Sequence, residues 1–311
     1  MMAGVEIDEG LDEGLIWHYG NPVAEARSLA SGEGVVDLRN REVIEVAGED
    51  RLTWLHSLTT QHLEHLKPGV PTTALILSPT GHTEHVLHGV DDGTSFLAWT
   101  EPGRAEALID FLDKMRFVMR VEVARRDDLR LAWAGHKVAL DPQWRVRDSD
   151  LGGVEVFLPV DAELEATVGT WAFDAMRIAA GVPRIFVDTD HKTIPNEIGL
   201  LGTHLEKGCY RGQETVARVH TLGRPPRRLV QLHLDGTQSE LPEPGAPIEF
   251  NGRTVGFVGS AARHHELGPI ALAMVKRNVP VDQDLLAGGI PAAQEVLVDP
   301  EVGLHIRPVL G

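Results

Sequence analysis

Lys207-Gly208-Cys209-Tyr210-Arg211-Gly212-Gln213-Glu214 holds the only cysteine of a 311-residue chain. A lone cysteine forms no disulfide within its own chain. It is either small apolar filler, as free cysteines commonly are, or a thiol kept for its chemistry. The neighbours favour chemistry. Lys207 and Arg211 stand two residues away on either side, and nearby cations stabilise a thiolate over a thiol. Gly208 and Gly212 open backbone conformations closed to other residues, as expected where a segment must approach a ligand closely.

Composition narrows the alternatives. With 42% hydrophobic and 24% charged residues the chain reads as a folded globular protein, long enough for two domains or for one with subdomains. A formal net charge of -17 excludes nucleic-acid binding through the bulk field and leaves room only for a local basic groove. One cysteine excludes a disulfide scaffold and fits a reducing compartment. Met1 to Glu13 carries five acidic residues and neither Lys nor Arg, unlike a secretory n-region or an Arg-rich transit peptide. No apolar run reaches the length of a membrane span. The expected location is the cytoplasm.

Working back from the octapeptide, residues 34–125 have the rhythm of an α+β subdomain. Val43–Val46 reads as a strand. A helix carrying Leu52, Leu55, Leu58 and Leu63 on one face follows, with Asp50 as its expected N-cap. Thr73–Leu77 reads as a buried strand, Ser78-Pro79-Thr80-Gly81 as a turn, and His85–Gly89 as the returning strand. Ala105–Leu112 is helical by period, and Val118–Val123 alternates as a half-buried strand does. Residues 126–222 form a second stretch, with strands at Leu129–Trp133 and Val154–Leu158. Its helix, Thr170–Ala180, is stopped by Gly181 and Pro183.

Beyond the octapeptide, Gly223-Arg224-Pro225-Pro226-Arg227-Arg228 reads as a stiff, solvated connection into a C-terminal domain, residues 223–311. That domain is all-β, with strands at Leu229–Leu234, Pro247–Phe250, Thr254–Val258, Ile270–Val275 and Glu295–Val298. Asn251-Gly252 between two of them is a strong hairpin signal.

The octapeptide resembles the signature K-G-C-(Y/F)-x-G-Q-E of the YgfZ-type folate-binding proteins, within the glycine-cleavage T-protein (aminomethyltransferase) superfamily. The similarity holds at every fixed position, and Thr215-Val216-Ala217-Arg218 continues it. The resemblance implies an α+β fold: a T-protein-like body of two α/β subdomains over residues 1–222, then a small C-terminal β-barrel, around a central folate site. It implies non-covalent tetrahydrofolate as cofactor. Thr193-Ile194-Pro195-Asn196-Glu197 resembles the superfamily's T-x-P-x-E segment, whose glutamate hydrogen-bonds the pterin ring. A carboxylate suits that task because it can accept two parallel hydrogen bonds from the pterin N–H edge. Arg177, on the helix leading to Gly181-Val182-Pro183, is a second cofactor candidate, and Gln213 and Glu214 would orient the thiol or a ligand.

In the superfamily's transferases an aspartate follows a glycine-containing turn. The corresponding stretch here, Ser78 to His85, has none, and Glu84 is the nearest carboxylate. That departure points to the YgfZ-type branch, which is associated with maturation or repair of iron-sulfur proteins and linked to tRNA modification. The resemblance thus implies Cys209 as the working thiol, flanked by Lys207 and Arg211, and implies iron-sulfur clients, assembly factors and tRNA-modifying enzymes as partners. One thiolate holds no resident cluster, since clusters take four protein ligands.

Three other readings stay open: a tetrahydrofolate-dependent aminomethyl- or methyltransferase, a cysteine hydrolase or acyltransferase, and a non-catalytic RNA-binding module using Arg224, Arg227 and Arg228. Whether the chain is an enzyme at all is likewise open. The pairs His62/His65, His85/His88 and His264/His265 lack any H-E-x-x-H or Cys–His spacing, so no metal site is expected. No phosphate-binding loop is visible.

Overall fold

In the computed structural model, which describes residues 4–305, the apolar run at Thr73–Leu77 lies in the strand Pro71–Leu77, buried at all but its first residue. This strand edges a five-stranded sheet in the order Pro71–Leu77, Thr83–Asp91, Ser95–Thr100, Glu42–Ala47, Glu122–Arg125. The helices Arg51–Leu58 and Ala105–Lys114 close the core of this sheet, bringing Trp54, Leu55, Leu108 and Leu112 against Ile44, Val46, Ile76 and Phe96. Each fully buried Leu there contributes about 1.5–3 kcal/mol. A four-stranded sheet follows, ordered Arg145–Asp148, Val154–Pro159, Leu129–Ala134, Val35–Asp37. These elements form the first of two compact units, residues up to Ile76 together with His85–Phe173.

The second unit contains Leu77–Glu84 and the chain from Asp174 onward. The turn joining Pro71–Leu77 to Thr83–Asp91, the hairpin tip, therefore belongs with the C-terminal half. This unit holds most of the helix Thr170–Ala179, a short 3-10 turn at Pro195–Ile198 and the helix Gln213–Leu222. Its last part is a closed six-stranded barrel: Arg227–Leu234, Gly268–Lys276, Arg253–His264, Pro247–Phe250, Leu285–Ala287 and Ile290–Val296. Val230, Leu232, Ile248, Val258, Ala271 and Ala273 fill the barrel. Asn251 and Gly252 both take positive φ, 50° and 71°, the primed turn that matches strand twist. The expected α+β class and terminal barrel are both present. Among the described residues no helix is long and apolar enough to cross a membrane.

Local expectations fail in instructive places. Asp50 precedes its helix without capping it. Its carboxylate instead accepts the Arg120 backbone N–H and guanidinium, both at 2.8 Å. Leu63 is fully buried although the helix ends at Leu58. The strand expected at Val118–Val123 is confined to Glu122–Arg125, and Phe117 and Val118 project as an exposed turn. The last strand, Ile290–Val296, begins five residues before the expected Glu295. The largest correction is at 223–228. Arg227 and Arg228 are the first residues of a barrel strand, not linker. Arg228 points along the inward-facing side of that strand with Val230 and Leu232 and is fully buried, Nη2 donating to Val279 O (3.2 Å) and Gln294 Oε1 (2.8 Å).

Candidate functional site

The octapeptide is loop and turn over its first six residues and helix over its last two. Gln213 and Glu214 open the helix Gln213–Leu222, which Gly212 precedes with φ 80°. A Cβ on Gly212 would lie 2.5 Å from the Ser78 carbonyl oxygen. Glycine is thus required there by both conformation and space. Gly208 is different: its φ lies outside the left-handed region and a Cβ would meet open space.

The residue that presses on Gly212 belongs to the turn Ser78–Gly81, more than 130 positions earlier in the chain. Thr215 Oγ1 donates to Thr80 O at 2.9 Å. Arg211 Nη1 donates to Glu84 Oε2 at 2.8 Å. The hairpin tip additionally meets the second motif, Thr83 N–H donating to Thr193 O at 2.9 Å. Asn196 Nδ2 reaches Val216 O at 3.3 Å, so the Glu197 turn packs on the helix that follows Cys209. Three segments remote in sequence are thereby gathered in one unit.

Within that frame Cys209 is exposed. Its flanking cations do different things. Lys207 is buried, with Nζ 4.9 Å from the Tyr210 ring centroid, and burial pushes its ammonium down to about 8 because a charge is costly away from water. Burial likewise pushes the Tyr210 hydroxyl up to about 12. Arg211, expected beside the thiol, is engaged by Glu84. The same contact ties up the carboxylate that stands nearest the transferase aspartate position. Gln213 Nε2 reaches the Lys207 carbonyl at 3.5 Å, and Glu214 is exposed in the first helical turn.

Glu197 lies in a second cluster and is 1% exposed. Oε2 accepts from Ile194 N–H (3.1 Å) and Arg227 Nη2 (2.8 Å), and Oε1 from Arg227 Nε (2.9 Å). Arg227 also grips Asp190 through Nη1 (2.7 Å) and Nη2 (3.0 Å). Burial opposes ionisation of Asp190, but hydrogen bonds from Arg227 and Thr193 outweigh it and hold the carboxyl at about 2. Sequence reading does not connect either residue with Glu197: it offers Arg227 as an RNA contact and passes over Asp190. The two prolines before Arg227 made it look like linker, and nothing local marks Asp190.

Arg177 lies apart from this cluster's hydrogen bonds. Its buried guanidinium donates to Val182 O and Asp188 Oδ2, both at 2.8 Å, and to Asp174 Oδ1 at 3.2 Å. Asp188 in turn accepts the Ser260 N–H at 2.6 Å. Arg177 ties its helix to the Asp188 turn, which holds a barrel strand.

Comparison with known proteins accords with this architecture. Residues 227–298 match the glycine cleavage T-protein C-terminal barrel domain. The glycine cleavage system aminomethyltransferase T of Bartonella henselae superposes over 96% of this chain and 95% of its own, with TM-score 0.77 and 19% identity. A chloroplastic transferase-like protein of Arabidopsis thaliana is 26% identical, covering 88% of this chain and 74% of that protein. The tRNA-modifying protein YgfZ of Cronobacter sakazakii is 37% identical over 159 residues, 48% of this chain and 44% of the relative. The chain has the T-protein fold, and its barrel is of the T-protein C-terminal type.

Proposed function

We propose that this chain, a T-protein fold with the matching C-terminal barrel, is a tetrahydrofolate-binding accessory protein for the maturation or repair of iron-sulfur proteins, including those that modify tRNA. The observation that carries the reading is the presentation of Cys209: an exposed thiol on a segment anchored on both sides, by buried Lys207 and Tyr210 and by the clamp of Arg211, Gly212 and Thr215 on the hairpin tip. The partial similarity to a protein named for tRNA modification supports the same reading. One accessible thiol suits a transient contact with iron, sulfur or a client protein rather than a resident cluster.

Tetrahydrofolate supplies a one-carbon carrier and a pterin whose N–H edge a carboxylate can read. Glu197 fits that edge in part. It is buried and charged, but Arg227 and Ile194 N–H take three of its roughly four acceptor positions. Accepting a paired edge therefore requires Arg227 to loosen its hold, and Asp190 stands where it can retain the guanidinium.

The deciding experiment is rescue of a [4Fe-4S] enzyme in cells lacking the protein, with wild type or Cys209→Ser at matched levels. Rescue by wild type alone is expected. Equal rescue by the variant would remove the thiol from the function. A parallel titration follows tetrahydrofolate by quenching of the six tryptophans, and unchanged affinity in Glu197→Ala would refute the pterin assignment. A folate-dependent transferase is the second reading, favoured by the name of the Arabidopsis relative. It predicts formation of methylene-tetrahydrofolate from an aminomethyl donor, abolished by Glu84→Gln.

A further inference from the structure

The first unit carries a cluster that the thiol and folate readings leave unused. His56, in the last turn of the helix Arg51–Leu58, faces His62 from the segment beyond it, and Glu64 completes the group. One potential ligand atom from each lies within 4.8 Å of the others. The two imidazoles meet nearly at right angles, ring centroids 4.8 Å apart. Two imidazoles sharing one tetrahedral zinc at 2.0–2.1 Å have centroids about 5 Å apart. His65 stands nearby, its ring centroid 6.0 Å from that of His62.

The scaffold under the cluster is fixed. Thr60 N–H donates to Leu75 O at 2.8 Å, and Leu75 N–H returns to Thr60 Oγ1 at 2.9 Å. Leu63, between His62 and Glu64, is fully buried. The segment is thus pinned to the edge strand Pro71–Leu77 at one point and to the core at another, while the three polar side chains stay partly or fully accessible. His56 Nδ1 accepts the Leu63 N–H at 3.3 Å. That nitrogen therefore bears a lone pair, the feature a metal ligand needs.

We propose that His56, His62 and Glu64 form a site for a divalent transition cation of the zinc class, with water in the remaining position. Two imidazoles and a carboxylate are the donor set such cations favour over magnesium or calcium. The site clips the irregular segment after the helix onto the helix end. Sequence spacing conceals it, since the six-residue interval between His56 and His62 spans the end of the helix and fits no familiar motif.

The test uses the full chain, stripped with EDTA and desalted, then titrated with cobalt chloride and followed by visible absorbance. One equivalent of Co2+ should give the intense d–d bands of a tetrahedral site, and zinc chloride should bleach them. Zinc should also raise the melting temperature of the wild type. In His56→Asn/His62→Asn, affinity should fall by about a hundredfold or more, ligand nitrogens being the main source of binding. Cys209→Ser should bind as wild type does, separating this site from the thiol. Uptake unchanged in the double variant, or the absence of saturable uptake by the wild type, would overturn the proposal. Should the double variant fail to fold, the exposed Glu64→Gln decides. A loss of about tenfold supports the site, and no loss refutes it.

Discussion

Glu197 and Cys209 stand twelve residues apart and occupy opposite surroundings. Glu197 is buried, charged and gripped by Arg227, which Asp190 shares. Cys209 is exposed, and the contacts that fix it are made by its neighbours. A buried ion cluster resists motion because loosening it leaves a charge unpaired away from water. An exposed thiol on an anchored segment can meet a large partner without disturbing anything. The first arrangement holds its groups fast, whereas the second leaves its side chain open to solvent.

That contrast can be broken most severely at Glu197. Glu197→Ala leaves Arg227 half-buried with Asp190 as its remaining carboxylate, and should cost about 2–4 kcal/mol in urea denaturation. Gly212→Ala comes next. It forces a side chain into the left-handed region against the Ser78 carbonyl, and should cost about 1–3 kcal/mol. The variant should also raise the amide exchange of residues 78–84. If the tip is as protected as in wild type, the clamp assigned to Gly212 is wrong.

Acid sharpens the comparison from the other side. Asp190 is held at about 2 against an ordinary value of 3.8, so the folded state binds its proton less readily than the unfolded chain. Its stabilisation is therefore complete above about pH 4 and is lost as the pH falls toward 2. Allowing for its partial exposure, about 1–2 kcal/mol is involved. Asp190→Asn should flatten this part of the acid denaturation curve, and an unaltered acid limb would deny Asp190 that role. The smallest effect belongs to Cys209→Ser. An exposed side chain changes stability by at most about 0.5 kcal/mol, so the melting curve should overlay that of wild type even where rescue is lost.

The contrast also explains what could be read in advance. The octapeptide and the T-x-P-x-E segment are short, contiguous signatures, and the barrel hairpin advertises itself through Asn251-Gly252. Arg228 was unreadable because arginine is almost never fully buried, and only the barrel's interior gives it Gln294 and the Val279 carbonyl. The helix Gln213–Leu222 was passed over because β-branched residues, Thr215, Val216 and Val219, weaken its local signal. Packing overrides that weakness: Val216 is buried and Asn196 reaches its carbonyl. The engagement of Arg211 by Glu84 depends on tertiary structure alone, and nothing within the octapeptide announces it.

The hairpin tip has a consequence for how the chain comes to be folded at all. Arg211 meets Glu84 across 127 residues, and Thr215 meets Thr80 across 135. Closing a loop of that length costs about 4 kcal/mol of chain entropy before any contact repays it. At ordinary elongation rates the tip also emerges on the order of ten seconds before its partners leave the ribosome. During that interval the turn Ser78–Gly81 has nothing to hold. The contact that anchors the Cys209 segment is then among the last to form, and the thiol is held in place only in a chain that has been made past Thr215.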